Sequence, residues 1–368
     1  MQPVPAKLII RNSVVFLFIV FSAVLFLTLP GCSSSEIYKK AYPALIDGRY
    51  DSEFPYRMCS EELEKLSLSI KSINSIAYYK TYVFDPSSKI KKQNMSEDLA
   101  EKLCAYSEFA ESTGSGTAMV IYSQNQRIGL ITCAHVINYP DTVYNMYPNP
   151  DGSQSQYVQG ISFKHRQSNF IPDIPEGGEV EILGQDTALD IAVLGRTFRD
   201  YHPQMMFPAK FAIGKARELE WGSFVYLFGY PMGYKLLTKA LVSSPNRDSY
   251  GSFLLDAVFN RGFSGGIILA VRDGVPNFEW VGLVKSVPVE YDYIIRPSKE
   301  YEKHQPDKPM RYSGDLYADR QTIIKYGITK AIPVESIRAY FQKNDKYFQS
   351  KGFIFSIFTD DSEGISGE

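Results

Sequence analysis

Three residues that together can activate a nucleophile occur in this chain at His135, Asp190 and Ser264. Ser264 lies among three glycines in Gly262-Phe263-Ser264-Gly265-Gly266, His135 ends the run LITCAH, and Asp190 precedes the apolar run IAVL. A serine hydroxyl is a poor nucleophile near neutral pH, so a base must take its proton and an acid must orient that base. Each residue alone has a simpler explanation: a core histidine, a capping aspartate and a glycine bend. Their order along the chain has to decide between these interpretations.

Two orders of such residues are compared for this chain, and each demands different surroundings for the serine. The G-x-S-x-G pattern fits the nucleophile elbow of α/β-hydrolases, which needs a helix after the serine and a histidine later in the chain. After Ser264 the sequence predicts strand, turn and strand, with Asp273-Gly274 in the turn. The later histidine, His304, lies in the polar stretch KEYEKHQPDKP. The order His, Asp, Ser, with separations of 55 and 74 residues, is therefore favoured.

The elements around these residues are predominantly predicted strands. The chain of 368 residues contains 26 tyrosines and 23 phenylalanines with frequent turn residues, which favours an all-β fold. Helical patterns cover 61–72, 97–109 and 332–341. The predicted strands are 73–84, 117–122, 128–133, 157–163, 179–183, 191–194, 224–228, 253–259, 266–271 and 278–287. Short strands of this number are typical of antiparallel barrels or sandwiches.

Charge and histidine spacing argue against several classes of partner. The net charge is −2 and no basic stripe occurs, so nucleic acid is not expected. His165, His202 and His304 lack metal-ligand spacing, and we therefore predict no metal and no cofactor. Cys59 and Cys104 are candidates for a disulfide in an oxidising compartment, and their pairing stays open at this stage.

The N-terminus has the pattern of an export signal. Lys7 and Arg11 precede the uncharged apolar stretch Val14–Leu29, whose 16 residues are short for a spanning helix. Leu29-Pro30-Gly31-Cys32 resembles the lipobox of bacterial lipoproteins, although Pro30 is uncommon at its position in that motif. The resemblance implies cleavage before Cys32, acylation of its thiol and extracytoplasmic attachment to a bacterial membrane, the outer membrane or cell envelope. An uncleaved membrane anchor is the alternative.

A series of motifs resembles the trypsin-like serine peptidases, most closely the HtrA-type catalytic domain. The series is GSGTAMVI, LITCAHVIN, ALDIAVL, VYLFGYPMG, RGFSGG, VGLVKSV and YGITKAIPVESIRAYF, in that order. The resemblance implies two six-stranded antiparallel barrels, the periplasm as the compartment in a Gram-negative cell, and cleavage of polypeptides. His135 matches the family's general base, Asp190 its orienting acid and Ser264 its nucleophile, while the N–H groups of Gly262 and Ser264 match its oxyanion hole.

This sequence departs from the family pattern at several positions. Phe263 replaces the aspartate that pairs with a new N-terminus in digestive enzymes, so activation by that ion pair is not expected. Val258 lies near the base of the family's specificity pocket, which argues against cleavage after Lys or Arg. The 27 residues after Phe341 are too few for a PDZ domain. Homo-oligomerisation, common in HtrA proteins, stays open.

We predict a signal peptide over 1–31, a lipidated linker over 32–60, the peptidase domain over 61–345 with insertions near 85–110 and 288–325, and a tail over 346–368. The preferred function is a membrane-tethered serine endopeptidase that acts on extracytoplasmic polypeptides. One alternative is a catalytically silent binding module that keeps the same fold, with the insertion at 288–325 closing the cleft or holding a partner. Another is an esterase, because the same residues can cleave esters.

Overall fold

A computed structural model describes residues 47–53, 58–92, 95–149, 153–200, 207–208, 211–258, 260–286, 289–296, 314–324 and 327–359. The chain divides into two units, Met1–Gly48 and Arg49–Glu368, and the second contains every element below. Its helices are α1 (Ser60–Ser67), α2 (Glu97–Leu103), α3 (Ala134–Ile137), α4 (Val334–Ser350) and α5 (Ser356–Thr359). No helix within the described ranges is long and apolar enough to cross a membrane. The predicted export signal and Cys32 lie outside those ranges.

The described residues of this unit form sixteen strands. They are β1 (Ile70–Val83), β2 (Tyr106–Gln124), β3 (Arg127–Thr132), β4 (Thr142–Pro148), β5 (Gln154–Phe170), β6 (Glu181–Asp186), β7 (Ile191–Thr197), β8 (Ala212–Ile213), β9 (Phe224–Gly229), β10 (Leu236–Ser244), β11 (Phe253–Leu255), β12 (Ile267–Val271), β13 (Phe278–Ser286), β14 (Val289–Arg296), β15 (Tyr317–Ile324) and β16 (Thr329–Pro333). The prediction of an all-β fold is confirmed.

Two seven-stranded sheets each contain a ring of six strands. In the second sheet the order is β12-β9-β10-β11-β16-β13-β8, and the additional pairing of β12 with β13 closes six of these strands into a barrel. In the first sheet the order is β4-β5-β1-β2-β3-β7-β6, and a bridge from Phe170 to Glu179 brings the end of β5 to the approach of β6. The predicted six-stranded barrels thus each carry one further strand, β4 or β8.

Sheet pairing overrides helical spacing at two predicted helices. The helix predicted over 61–72 ends at Ser67, because Ile70 and the two residues after it pair with Met119–Thr117 of β2. The helix predicted over 97–109 ends at Leu103, and Tyr106–Phe109 pair with Val83–Lys80. Both predictions were wrong at their C-terminal ends because long-range strand pairing decides those residues.

The two predicted insertions have different structures. Residues 85–110 contain α2 and the start of β2, and α2 covers a small cluster of buried side chains: Tyr82, Phe84, Met95, Ala100, Val158 and Ile161. This insertion therefore extends the first sheet and is not only an exposed loop. In the insertion predicted over 288–325, the described residues form the antiparallel pair β14–β15.

The predicted linker and the predicted tail both include residues that pack on the barrels. Tyr50, in the predicted linker, is 7% exposed and donates a hydrogen bond to Glu279 (2.6 Å), while Arg272 stacks on its ring. In the predicted tail from 346, α4 continues to Ser350, and Phe348, Phe353, Phe355 and Phe358 are each 1% exposed. Phe358 stacks on Phe341 at 4.1 Å. Burial of aromatic surface thus holds part of each segment against the barrels, and the bounds of the linker and tail stay predictions.

Candidate active site

His135 lies on the one-turn helix α3, directly after the buried strand β3. Ala134, Val136 and Ile137 are buried and hold this turn, while the His135 side chain is 46% exposed. Its Nε2 lies 2.8 Å from the Ser264 Oγ, and its Nδ1 lies 2.9 Å from Asp190 Oδ2. The histidine therefore bridges the serine and the aspartate, one ring nitrogen to each.

Asp190 is buried and fixes His135 at two points. Asp190 is 6% exposed, and its Oδ1 accepts a hydrogen bond from the His135 backbone N–H at 2.9 Å. The backbone of Asp190 has a φ of +65°, a conformation that non-glycine residues seldom adopt. Its carbonyl also accepts from the N–H of Ala134 at 3.2 Å. The carboxylate is thus removed from water and pointed at the imidazole, as an orienting acid would be.

Ser264 lies in the tight loop that joins β11 to β12, and the hydrogen bonds of this loop hold the serine between the two barrels. The N–H of Phe263 donates to Asn260 (3.1 Å) and that of Gly266 to Phe263 (2.9 Å). The N–H of Thr117, on β2 of the first sheet, donates to the Ser264 carbonyl at 2.8 Å. Ser264 is 7% exposed, so its hydroxyl is sheltered from most water contact.

Phe263 anchors this loop by burial. Its side chain is 1% exposed and packs in the core of the second barrel. Gly229 makes room for the ring, because a Cβ there would lie 2.2 Å from a Phe263 ring carbon. A buried aromatic ring thus occupies the position where digestive enzymes use an aspartate ion pair. The loop is held by apolar packing that requires no newly formed N-terminus.

Gly262 has the conformation expected of an oxyanion-hole residue. Its φ is +94°, and a Cβ would lie 2.4 Å from the carbonyl oxygen of Tyr230. Within the described ranges, the backbone N–H groups of Gly262 and Ser264 donate no backbone hydrogen bond. Both donors thus remain available to a substrate oxygen.

Thr117 is the residue of this site that sequence analysis missed. It is fully buried, and its hydroxyl donates to the Gly262 carbonyl and accepts from the Tyr230 N–H, both at 2.8 Å. Its carbonyl accepts from the Thr132 hydroxyl at 2.7 Å. The threonine thus ties the oxyanion loop to β9 and to the strand before His135. A polar residue opening the apolar run AMVI was the signal available in the sequence.

The other sequence predictions about functional positions concern Val258 and three cysteines. Val258 is 61% exposed, and its role at a pocket base stays a prediction. Cys59 and Cys104 are free thiols, so the candidate disulfide is absent. Cys32 lies outside the described residues, and its acylation also stays a prediction.

Cys133, His135 and Asp190 also place potential metal-ligand atoms within 4.8 Å of one another. Both ring nitrogens of His135 already have partners in Asp190 and Ser264. Burial, followed by the charge of Asp190, raises the pKa of the Cys133 thiol well above its usual range. A protonated thiol is a poor metal ligand. The donor set therefore suits a hydrogen-bonded triad better than a metal ion.

Comparison with known proteins supports the family resemblance over part of the chain. Residues 116–277 match the family model described as the trypsin-like peptidase domain. No curated protein matches the chain significantly. The matched region begins at the glycine that packs against the Ser264 carbonyl and ends in the turn between β12 and β13. Residues 116–277 are thus similar to a trypsin-like peptidase domain, and the matched residues include His135, Asp190 and Ser264.

Proposed function

We propose that this protein is a serine endopeptidase that uses His135, Asp190 and Ser264 to hydrolyse peptide bonds through an acyl-enzyme. The observation that carries the proposal is the continuous hydrogen-bond chain from Asp190 through His135 to the Ser264 Oγ, with 2.9 Å and 2.8 Å separations. These distances match those needed between a nucleophile, its base and an orienting acid. A catalytically silent binding module would not require this alignment of the three side chains, which weighs against that alternative.

In the proposed reaction, the Ser264 Oγ attacks the scissile carbonyl while His135 Nε2 accepts the hydroxyl proton. The buried Asp190 carboxylate stabilises the resulting imidazolium and holds the ring with Nδ1 as the donor. The N–H groups of Gly262 and Ser264 bind the developing oxyanion. His135 then gives its proton to the leaving amine, and a water molecule, deprotonated by the same nitrogen, hydrolyses the acyl-enzyme.

The first experiment is labelling with a fluorophosphonate probe, which reacts with an activated serine. The protein from residue 33 onward would be compared with its Ser264→Ala and His135→Ala variants. We expect labelling that requires both residues. Folded protein without labelling, judged by circular dichroism and thermal unfolding, would contradict the proposal and favour the silent binding module.

Turnover of peptide and ester substrates separates the endopeptidase from the esterase. A digest of denatured casein, analysed by mass spectrometry, should give Ser264-dependent cuts inside the chain. A small or medium aliphatic preference, suggested by the apolar Val258, predicts cuts after residues such as Ala or Val and few after Lys or Arg. Turnover of nitrophenyl esters without any peptide cleavage would support the esterase.

The HtrA-like character and the membrane attachment belong to the same proposal. The lipobox-like sequence ending at Cys32 would anchor the domain outside the cytoplasm, where it would meet exposed or misfolded polypeptides. Metabolic labelling with a palmitate analogue, comparing the full chain with Cys32→Ser, tests the anchor. A wild-type chain that stays in the membrane fraction without taking up label would support an uncleaved anchor instead.

A further inference from the structure

The point at which the chain enters the second barrel is fixed at the start of β9. The N–H of Asp51 donates to a carbonyl of β12 at 2.9 Å, and the N–H of Phe224 donates to the Asp51 carbonyl at 2.7 Å. Just before these residues, Arg49 forms an ion pair with Glu220 at 3.6 Å. Sixteen residues separate Arg49 from Cys32, and a chain of that length extends over at most about 55 Å. Attachment at Cys32 would therefore keep this end of the second barrel within reach of a membrane.

Two exposed aromatic side chains lie at this end of the second barrel. Trp221 follows Glu220 in the chain and is 72% exposed. Tyr250 is 59% exposed, and its loop packs on the same connecting segment, since the Asn246 side chain donates to the Arg217 carbonyl at 3.0 Å. An aromatic ring with a polar N–H or O–H is favoured at a membrane–water boundary, because the ring is apolar and the polar group stays hydrated. These two side chains are therefore suited to contact lipid.

Two exposed arginines belong to the same connecting segments. Among the residues that the structure describes, neither Arg217 nor Arg247 has a carboxylate within ion-pair distance. The nearby carboxylates have other partners: Glu218 and Glu220 form ion pairs with other basic residues, and Asp248 accepts from backbone N–H groups of its own loop. A guanidinium binds phosphate oxygens through several N–H groups. We call the following four residues the anchor-side surface: Arg217, Trp221, Arg247 and Tyr250.

Strand β9 connects the anchor-side surface to the candidate active site. It begins at Phe224, three residues after Trp221. It ends beside the oxyanion loop, where a Cβ on Gly229 would lie 2.2 Å from a ring carbon of Phe263. The residue steps from Phe224 to Tyr230 span about 20 Å of extended strand. The active site therefore lies at the opposite end of β9 from the anchor-side surface.

We propose that the anchor-side surface lies on the phospholipid head groups of the membrane to which the chain is attached. This inference rests on the membrane attachment in the proposed function and deepens it by assigning an orientation. The rings of Trp221 and Tyr250 lie at the boundary between acyl chains and head groups, and the two arginines bind phosphate. The short covalent link to Cys32 favours lipid over a second copy of the chain, because it keeps this surface near the bilayer. The active site is thus held about 20 Å from the lipid, where it meets polypeptides in water.

Contact quenching by brominated lipid tests this orientation in the full chain. The protein is reconstituted into vesicles of phosphatidylethanolamine and phosphatidylglycerol, with and without bromine on the acyl chains near the head groups. Wild-type protein should lose about half of its tryptophan emission, because Trp221 contacts lipid whereas the second tryptophan, Trp280, is fully buried. The Trp221→Phe variant should lose almost none.

Vesicle flotation of the same samples separates this inference from the proposal on which it rests. Protein that floats with the vesicles without losing emission would overturn the orientation and leave the membrane attachment intact. Protein that does not float would overturn both. Fluorophosphonate labelling of Ser264 reports on the peptidase independently of either result.

Two matched probes in the Trp221→Phe background test which end of β9 faces the lipid. Tyr250→Trp places the probe on the anchor-side surface and should be quenched. Tyr234→Trp places it in the loop that follows β9 and should not be quenched, although Tyr234 is as exposed as Trp221, at 72%. Comparable quenching at both positions, in variants that unfold at the wild-type temperature, would overturn the proposed orientation.

Replacement of the two arginines tests the phosphate contacts. Arg217→Gln together with Arg247→Gln should lower the quenching of Trp221 about twofold, since each basic residue adds attraction to an anionic lipid surface. Lys343→Gln together with Lys346→Gln, at two exposed lysines of α4, is the charge-matched control and should leave the quenching unchanged. Equal effects of the two pairs, or no effect of the arginine pair, would overturn these contacts.

Sedimentation of the detergent-solubilised full chain tests a second copy as the competing occupant. We expect Trp221→Ser to leave the oligomeric state unchanged. An assembly that dissociates in Trp221→Ser would show that a second copy covers the anchor-side surface, and would overturn the proposal.

Discussion

Replacing Thr117 by valine should loosen the oxyanion loop without changing the triad residues. The substitution keeps the shape of the side chain and removes a hydroxyl that donates to Gly262 and accepts from Tyr230. Both backbone groups lie in a region where Thr117 itself is fully buried. Each buried group left without a partner costs about 1–3 kcal/mol. The additional buried methyl group returns about 1 kcal/mol.

These terms give a loss in the free energy of unfolding of about 3 kcal/mol. At about 2–4 °C per kcal/mol, the Tm should fall by about 6–12 °C. The Gly262 N–H would also lose its fixed position, and misplacement of an oxyanion donor should lower kcat/KM about 10- to 100-fold. Since the Oγ–Nε2 contact is untouched, most of this loss should appear in kcat.

Thr117→Ser is the matched control, because it keeps the hydroxyl and removes one methyl group. Its Tm and kcat/KM should stay close to the wild-type values. The assays are differential scanning calorimetry, the rate of fluorophosphonate labelling and turnover of one casein-derived peptide at a temperature where both variants are folded. Wild-type labelling and Tm in Thr117→Val would refute the role of Thr117 in holding the loop.

Four further predictions follow from the same geometry. Gly262→Ala should abolish probe labelling in a folded protein, because its Cβ would meet the Tyr230 carbonyl at 2.4 Å; normal labelling would exclude Gly262 from the oxyanion hole. Asp190→Asn should lower kcat about 10⁴-fold while Ser264 stays in place; a loss below tenfold would contradict its orienting role. Cys133 should resist iodoacetamide in native protein at pH 8, since burial raises its pKa, and modification there by peptide mapping would disagree. Burial and, after it, the charge of Asp173 raise the pKa of the Tyr230 hydroxyl to about 12. The contribution of this group to stability should therefore be complete below pH 10 and lost toward pH 12. A Tyr230→Phe variant with the same alkaline loss of Tm would contradict this.

The sequence by itself predicted the fold class and the three candidate triad residues. Period-two apolar patterns and turn residues predict strands from a single segment of the chain. The order His135, Asp190, Ser264 argues against the nucleophile elbow of α/β-hydrolases. Gly262 and Gly265 have φ values of +94° and +84°, which glycine adopts without a steric penalty. These features are local, so they can be recognised without knowledge of what each strand contacts.

Only the tertiary structure decided which residues support the site. Thr117 acts through Gly262 and Tyr230, which lie 145 and 113 residues away in the chain. Tyr106–Phe109 have a helical pattern in sequence but pair with Lys80–Val83 of β1. The aromatic residues of the predicted tail are core residues because Phe341 and its neighbours cover them. Hydrogen bonds and burial between distant segments depend on how the chain folds back on itself, and no local pattern encodes those distances.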